Sequence, residues 1–179
     1  MTSYEKLLSV INGVLPEERP VAPEVFGLTA RINGYNVFQY VSDGSVIAES
    51  QLKAREAIGY DILFAFADLS VEAEALGCTL HYEEDAYPFI EKHVLRDMYD
   101  IKELKFPDPS KDGRMPVLLK ACRWLREAAG NECLIAACVL GPLTIASQLM
   151  GLERFLYQLA DGPERVEQLL DFTEEVAIR

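Results

Sequence analysis

The sequence predicts an α/β fold built on a parallel sheet. Residues 62–67 (ILFAFA) and 133–140 (CLIAACVL) are short apolar runs without a polar face, as in strands that helices cover on both sides. Each run leads through a short turn into a helical pattern. Repeated strand–turn–helix units have right-handed crossovers, so these units indicate parallel strands.

The other elements are read from periodicity and from their start and stop signals. Gly59 ends a helical pattern where a left-handed cap belongs, and Pro116 lies in the first turn of another. The full order predicted is an amphipathic helix at 1–13, a proline-interrupted strand at 20–26, a helix at 45–58, the strand at 62–67, a helix at 70–76, an extended excursion at 77–94, a loop at 102–113, a helix at 115–129, the strand at 133–140, a helix at 145–150 and a last helix from 162.

Composition limits the classes of function. The chain has 179 residues, 50% of them apolar, which predicts one domain over 1–179 with a substantial core. A formal net charge of −12 argues against nucleic acid as a partner, because phosphate binding depends on lysine and arginine. The N-terminus lacks the long apolar core of a signal peptide, and no apolar window approaches a membrane span. The four cysteines fit reduced thiols, which predicts a cytoplasmic location.

Asp68 is the first candidate site residue, because a carboxylate directly after a buried strand lies where α/β folds gather their ligands. Alternatively Asp68 is the N-cap of the helix at 70–76, and the two interpretations are compatible. Glu72 and Glu74 are expected to be solvated, as alternating acids on a short helix usually are.

Two further places could contact a ligand. Gly141 could bring backbone N–H groups close to a ligand, although a tight turn alone would explain a glycine there. Arg31 follows the strand at 20–26 and is a candidate binding residue.

The end of the chain suggests an incomplete barrel. The last helix keeps its apolar face up to Arg179 without a stop signal, so we expect the chain to be cut short. A closed (β/α)8 barrel needs eight strands and about 250 residues, and about three strands are predicted here. The chain would then supply at most the N-terminal half of such a barrel. Missing chain or a second copy would have to cover its open edge.

Three segments resemble the uroporphyrinogen decarboxylase superfamily, and most closely its methylcobamide:coenzyme M methyltransferase branch. They are AESQLKAREAIGYD at 48–61, FADLSVEAEALGC at 66–78 and GPLTIASQLMG at 141–151, in the family's order and spacing. The resemblance covers nearly the whole chain but only the N-terminal half of the family's TIM barrel.

This resemblance implies a barrel mouth that accepts a tetrapyrrole, either a porphyrinogen or a corrinoid carried on a partner protein. Asp68 matches the aspartate on which the decarboxylases centre their pyrrole N–H contacts. Their arginine-rich motif is reduced here to Arg31, and Gln148 stands where they have a tyrosine. A substrate with many carboxylates needs several cationic partners, so both departures favour the methyltransferase branch.

The methyltransferase branch implies a zinc held by a His-x-Cys pair and a distant Cys, which makes an acceptor thiol a thiolate. Those ligands belong to the C-terminal half of the family. Cys133 and Cys138 should point to opposite faces of a strand, and His81 and His93 stand apart in the sequence. We therefore expect this chain to bind no metal or cofactor, and zinc and a corrinoid only in the full-length family.

The function expected is a corrinoid-dependent methyltransferase, of which this chain alone would be inactive. Asp68 is the expected catalytic residue, and Arg31, Gly141, Thr144 and Gln148 are the expected substrate-binding residues. A uroporphyrinogen decarboxylase is the alternative enzyme, and a non-catalytic half-barrel that associates with itself or with a missing C-terminal half is the alternative of another class.

Overall fold

A computed structural model describes residues 1–96 and 98–179, without the side chains of Met98 and Tyr99. The elements, in chain order, are α1 (Ser3–Ile11), α2 (Leu28–Ile32), α3 (Val37–Ser42), α4 (Gly44–Ile58), β1 (Ile62–Ala65), α5 (Val71–Ala75), β2 (Thr79–His81), β3 (Phe89–Lys92), a 3-10 helix (Met98–Glu103), α6 (Met115–Ala129), β4 (Leu134–Ala137), α7 (Pro142–Met150), α8 (Leu152–Asp161) and α9 (Pro163–Ile178).

The chain divides into two compact units. Unit 1 comprises Met1–Ala67, Glu83–Tyr87 and Val117–Cys138, and unit 2 comprises Asp68–Tyr82, Pro88–Pro116 and Val139–Arg179. Each unit is assembled from separated stretches of sequence. That residues 1–179 form a single domain stays a prediction.

Unit 1 contains the parallel sheet. β1 pairs with β4 in parallel, in a register that sets Ile62 opposite Leu134 and Ala65 opposite Ala137. The α/β class with a parallel sheet is therefore confirmed. Most of β1 is buried, whereas β4 is half-buried to exposed, so the prediction of a second fully buried strand is wrong. Among the described residues, β4 has β1 as its one neighbour in this sheet.

The predicted strand at 20–26 is also wrong, and the sheet has two described strands rather than about three. Pro20 and Pro23 lack the N–H groups that a ladder requires. The Val21 N–H donates instead to Asp61 Oδ2 at 2.8 Å, and Val21 O accepts the Asp61 N–H at 2.8 Å.

Helix α4 covers the sheet and holds the irregular segment. Gly59 ends it with φ +85°, as the sequence predicts. Gln51 is buried within it, donating from Nε2 to Val25 O at 2.7 Å and accepting the Phe64 N–H on Oε1 at 3.2 Å. Gly44, the first residue of α4, lies so close to α6 that an added Cβ would sit 2.3 Å from Val117 O.

Unit 2 is mainly helical. Its core brings together α7, α8 and α9 through Ile145, Leu149, Phe155 and Leu169, all essentially without exposed surface. The predicted excursion at 77–94 is extended, as β2 and β3 form an antiparallel hairpin. Helices α2, α3 and α8 were not foreseen from the sequence. Over the described residues, no helix is long and apolar enough to cross a membrane.

Candidate functional site

Asp68 begins the turn that leads from β1 into α5. Its Oδ1 accepts the Ser70 N–H at 2.8 Å and also the Ser70 hydroxyl. Ser70 itself is the N-cap of α5, so the interpretation of Asp68 as the N-cap residue is wrong. Asp68 instead holds the turn that precedes the helix, a contact pattern that aspartate side chains favour. We call residues 68–70 the aspartate turn.

Arg114 binds both ends of the aspartate turn, Asp68 and Ser70. Its Nη1 donates to Asp68 Oδ2, and its Nη2 donates to Asp68 Oδ1 at 3.2 Å and to Ser70 Oγ at 3.1 Å. The Asp68 side chain is 3% exposed and the Arg114 side chain 9%. A planar guanidinium matches a carboxylate with two parallel bonds, which is the strong form of this pair.

Glu74 and Tyr82 extend the network. Arg114 Nε donates to Glu74 Oε2 at 2.7 Å, and the Tyr82 hydroxyl donates to Glu74 Oε1 at 2.8 Å. The guanidinium carbon also lies 5.4 Å from the centre of the Tyr82 ring. Burial, reinforced by the bond to Glu74, raises the pKa of Tyr82, so its phenol stays a donor.

The charge on Arg114 is secured by these partners. Burial alone would lower the pKa of Arg114, but its hydrogen bond to Asp68 and the negative charges of Asp68 and Glu74 raise it above its ordinary value. The network is thus two carboxylates, one guanidinium and one phenol, each with a partner. Buried charges are tolerated when they are paired in this way.

Glu72, which lies on α5 as Glu74 does, is 5% exposed. It accepts the Leu140 N–H on Oε1 at 3.1 Å. Burial raises the pKa of Glu72, and the bond from Leu140 opposes that rise only in part. The expectation that Glu72 and Glu74 are solvated is therefore wrong: Glu72 is buried, and Glu74, whose side chain is 22% exposed, is bonded to Arg114 and Tyr82.

Gln148 joins the aspartate turn to α7. Its side-chain Nε2 donates to Leu69 O at 2.7 Å, and its backbone carbonyl oxygen lies 2.7 Å from His93 Nδ1. Together with the bond from Leu140 to Glu72, this contact brings the aspartate turn next to residues 141–144, which we call the glycine turn. Gln148 Oε1 is buried and has no hydrogen-bond partner among the described residues.

The glycine turn is open. Gly141 has φ −72° and ψ 156°, a conformation available to any residue, and among the described residues no atom lies within 4 Å of where its Cβ would be. The tight-turn explanation for this glycine therefore lacks a structural basis. Thr144 is exposed, and its backbone N–H donates to Gly141 O at 3.0 Å.

Four of the five predicted site residues belong to unit 2. The bonds above bring Asp68, on the aspartate turn, close to α7, which carries Gln148, and to the glycine turn, which carries Gly141 and Thr144. Arg31 belongs to unit 1. It is exposed on α2 and lines a shallow pocket with Gly34, Tyr35, Asn36 and Asp85. Unit 2 also contains a cavity of about 780 Å³, next to Leu76, Leu95 and Phe106, whose lining includes no predicted site residue.

The described residues do not fit a zinc site, since they contain no group of three or more His, Cys, Asp and Glu side chains in a position to hold a metal. The four cysteines are free thiols, and burial raises the pKa of each of them. A thiol with a raised pKa is a poor metal ligand, because the thiolate is the form that binds.

Arg114 is the residue that sequence reasoning missed. It follows the predicted loop at 102–113 by one position and precedes α6, and its partner Asp68 lies 46 residues earlier. The only sequence signal was indirect: an aspartate at the end of a buried strand requires a cation or several N–H donors.

The fold and the site define an α/β protein that has a parallel strand pair in unit 1 and, in unit 2, a buried aspartate–arginine pair beside an open glycine turn. The chain belongs to the uroporphyrinogen decarboxylase (URO-D) family, whose model matches residues 2–179. The resemblance stated from the sequence is thereby confirmed.

The similar proteins include methyltransferases and uroporphyrinogen decarboxylases. The chain is 29% identical over 135 residues to the methylcobamide:CoM methyltransferase MtbA of Methanosarcina acetivorans, covering 75% of this chain and 39% of the relative. It is 28% identical over 144 residues to the uroporphyrinogen decarboxylase of an Anaeromyxobacter species, covering 74% and 41%. The chain thus spans less than half the length of these relatives.

A solved methyltransferase structure from Methanosarcina mazei has the same fold. It superposes with a TM-score of 0.86 at 24% identity, over 98% of this chain and 53% of that one.

Proposed function

We propose that the chain is part of a corrinoid-dependent methyltransferase and contributes a surface that faces the tetrapyrrole. The glycine turn carries the proposal. Gly141 is exposed and is required neither by its conformation nor by internal packing. Leu143 within the turn is 57% exposed, and Leu69 and Val139 near it are 57% and 61% exposed. Apolar side chains around an unobstructed backbone suit the face of a flat macrocycle.

The state of Asp68 favours a corrinoid over a porphyrinogen. Serving pyrrole N–H groups would require an accessible carboxylate, and this one is 3% exposed with Arg114 bonded to both oxygens. The relatives named methyltransferases and the single arginine in the region of the decarboxylase motif support the same choice. In this proposal Asp68 fixes the aspartate turn from inside the protein, and Gly141 and Thr144 contact the ligand. Gln148 links the aspartate turn to the glycine turn through its bond to Leu69 O.

The proposed context is the N-terminal half of a (β/α)8 barrel, which is supported by coverage of 53% of the solved methyltransferase chain. The half-exposed strand β4 and its single described neighbour support pairing with a complementary half or a second copy. Free thiols support a cytoplasmic location. Any thiol activation by zinc is left to residues outside this chain.

The test is methyl transfer from methylcobalamin to a small thiol, measured on this chain and on the product of its full reading frame, with zinc content determined for both. Transfer by either product supports the methyltransferase. Release of CO2 from uroporphyrinogen without methyl transfer would overturn it in favour of a decarboxylase. The absence of both, with a self-associated particle in sedimentation, would favour a non-catalytic module.

A further inference from the structure

The aspartate turn is held from two directions. Behind it, Arg114 contacts Asp68 and Ser70, the two ends of the turn. Between them, the Leu69 carbonyl accepts from Gln148 while the Leu69 side chain is 57% exposed. The exposed leucine therefore lies between a buried arginine and a half-buried glutamine, which hold the backbone on which it stands.

Arg114 binds several side chains at once. Its donors reach Asp68, Ser70 and Glu74, and Glu74 is held in turn by Tyr82. A guanidinium has donors in a fixed planar fork, so this set of partners fixes its orientation. Movement of the fork would move both ends of the aspartate turn.

We propose that Arg114 is a positioning residue of the tetrapyrrole-facing surface: through Asp68 and Ser70 it fixes the aspartate turn and thereby the exposed Leu69. This inference rests on the proposed function for the identity of the ligand. Arg114 itself is buried and does not touch the ligand. A lysine at position 114 keeps the charge but lacks the fork, so the turn should loosen while the ion pair survives.

The experiment is equilibrium dialysis of the 179-residue chain against methylcobalamin, which yields a dissociation constant and a number of sites per chain. We expect Arg114→Lys to raise the dissociation constant about tenfold with the number of sites unchanged, which corresponds to about 1.4 kcal/mol. The control is Arg154→Lys, because Arg154 is exposed and donates to a backbone oxygen, Arg96 O, at 3.2 Å rather than to a fork of side-chain acceptors. It should bind as the unchanged chain does.

The two measured quantities separate positioning from a role confined to folding. A folding role lowers the number of sites and leaves the dissociation constant of the folded chain unchanged. An unchanged constant in Arg114→Lys overturns the inference, whereas failure of the unsubstituted chain to bind methylcobalamin overturns the proposed function instead.

A milder variant covers the case in which Arg114→Lys does not fold. Ser70→Ala removes the hydroxyl that contacts both Asp68 and Arg114 but leaves their ion pair intact. We expect about a threefold higher dissociation constant, together with faster hydrogen exchange of the residue-70 amide, which is bonded to Asp68 Oδ1 at 2.8 Å. Unchanged binding in this variant also overturns the inference.

Discussion

The aspartate turn and the glycine turn each follow a parallel strand, and they differ in what fills them. The first is closed and charged, with a carboxylate that is 3% exposed and an arginine bonded to both of its oxygens. The second is open and uncharged, with empty space at Gly141 among the described residues. A buried carboxylate must be satisfied inside the protein, whereas an exposed glycine requires no internal partner. The charged turn is therefore satisfied by contacts within the chain, whereas the glycine turn leaves its backbone accessible.

The largest effect should come from removing the cation of the aspartate turn. Arg114→Met leaves Asp68 and Glu74 without their shared partner, and breaking a buried ion pair costs about 3–5 kcal/mol. Urea denaturation measures the free energy of unfolding. Arg154→Met, at an exposed site, should change it by no more than about 0.5 kcal/mol. Equal losses in the two variants would contradict the closed-turn description.

The two glycines that flank α7 should respond oppositely to alanine. Gly151 has φ +91°, and its Cβ would lie 2.9 Å from His93 Nε2, so Gly151→Ala should destabilise by about 1–3 kcal/mol. Gly141→Ala should instead stabilise by about 0.4–1 kcal/mol, since its conformation suits any residue. Thermal unfolding of both variants measures the contrast. A large loss of stability in Gly141→Ala would mean that the glycine turn is closed by internal contacts.

The bond between the turns should have a smaller effect. Gln148→Ala removes the donor to Leu69 O, which is worth about 0.5–1.5 kcal/mol. Loss of the buried Oε1, which has no partner in the described part of the chain, should place the result toward the low end of that range. Ser147→Ala is the control on the same helix, because its hydroxyl donates to Thr144 O within that helix, and its stability should change little. A Ser147→Ala loss as large as that of Gln148→Ala would show no special role for the contact.

The sequence predicted some elements of the structure well and others poorly. Helix α6 matches its prediction at both ends, and α4 and β1 begin within a residue of theirs, because periodic apolar faces and glycine caps are local signals. The strand at 20–26 failed, because an apolar composition does not reveal that Val21 pairs with Asp61 rather than with a strand. The structure places Asp68, Gly141, Thr144 and Gln148 near one another, and their roles in a site stay predictions. The burial of Glu72 was missed, because a short helix gives too little periodicity to orient it.

The smallest effect is a pH dependence at Glu72. Its folded-state pKa is raised, so the folded chain holds this proton more tightly than the unfolded chain does. The contribution of Glu72 to stability is then fully present below its unfolded pKa, about 4.5, and is lost as the pH rises through the folded value.

The matched variant for this pH dependence is Glu72→Gln, which cannot titrate. Its stability relative to the unsubstituted chain should therefore rise with pH across that window, as measured by urea denaturation from pH 4 to 7. Glu127→Gln, on the exposed face of α6, should show no comparable trend. A difference between Glu72→Gln and the unsubstituted chain that is independent of pH would contradict the assignment.

By itself the sequence determined the α/β class, most of the helices and the family. These depend on local periodicity and on motifs whose order and spacing can be recognised in the sequence. It also located the two turns, since each follows an apolar run. Only the tertiary structure decided that Arg114, one of 17 lysines and arginines, reaches Asp68. Ion pairing depends on distances across the folded chain, and nothing in the local sequence around either residue records that distance.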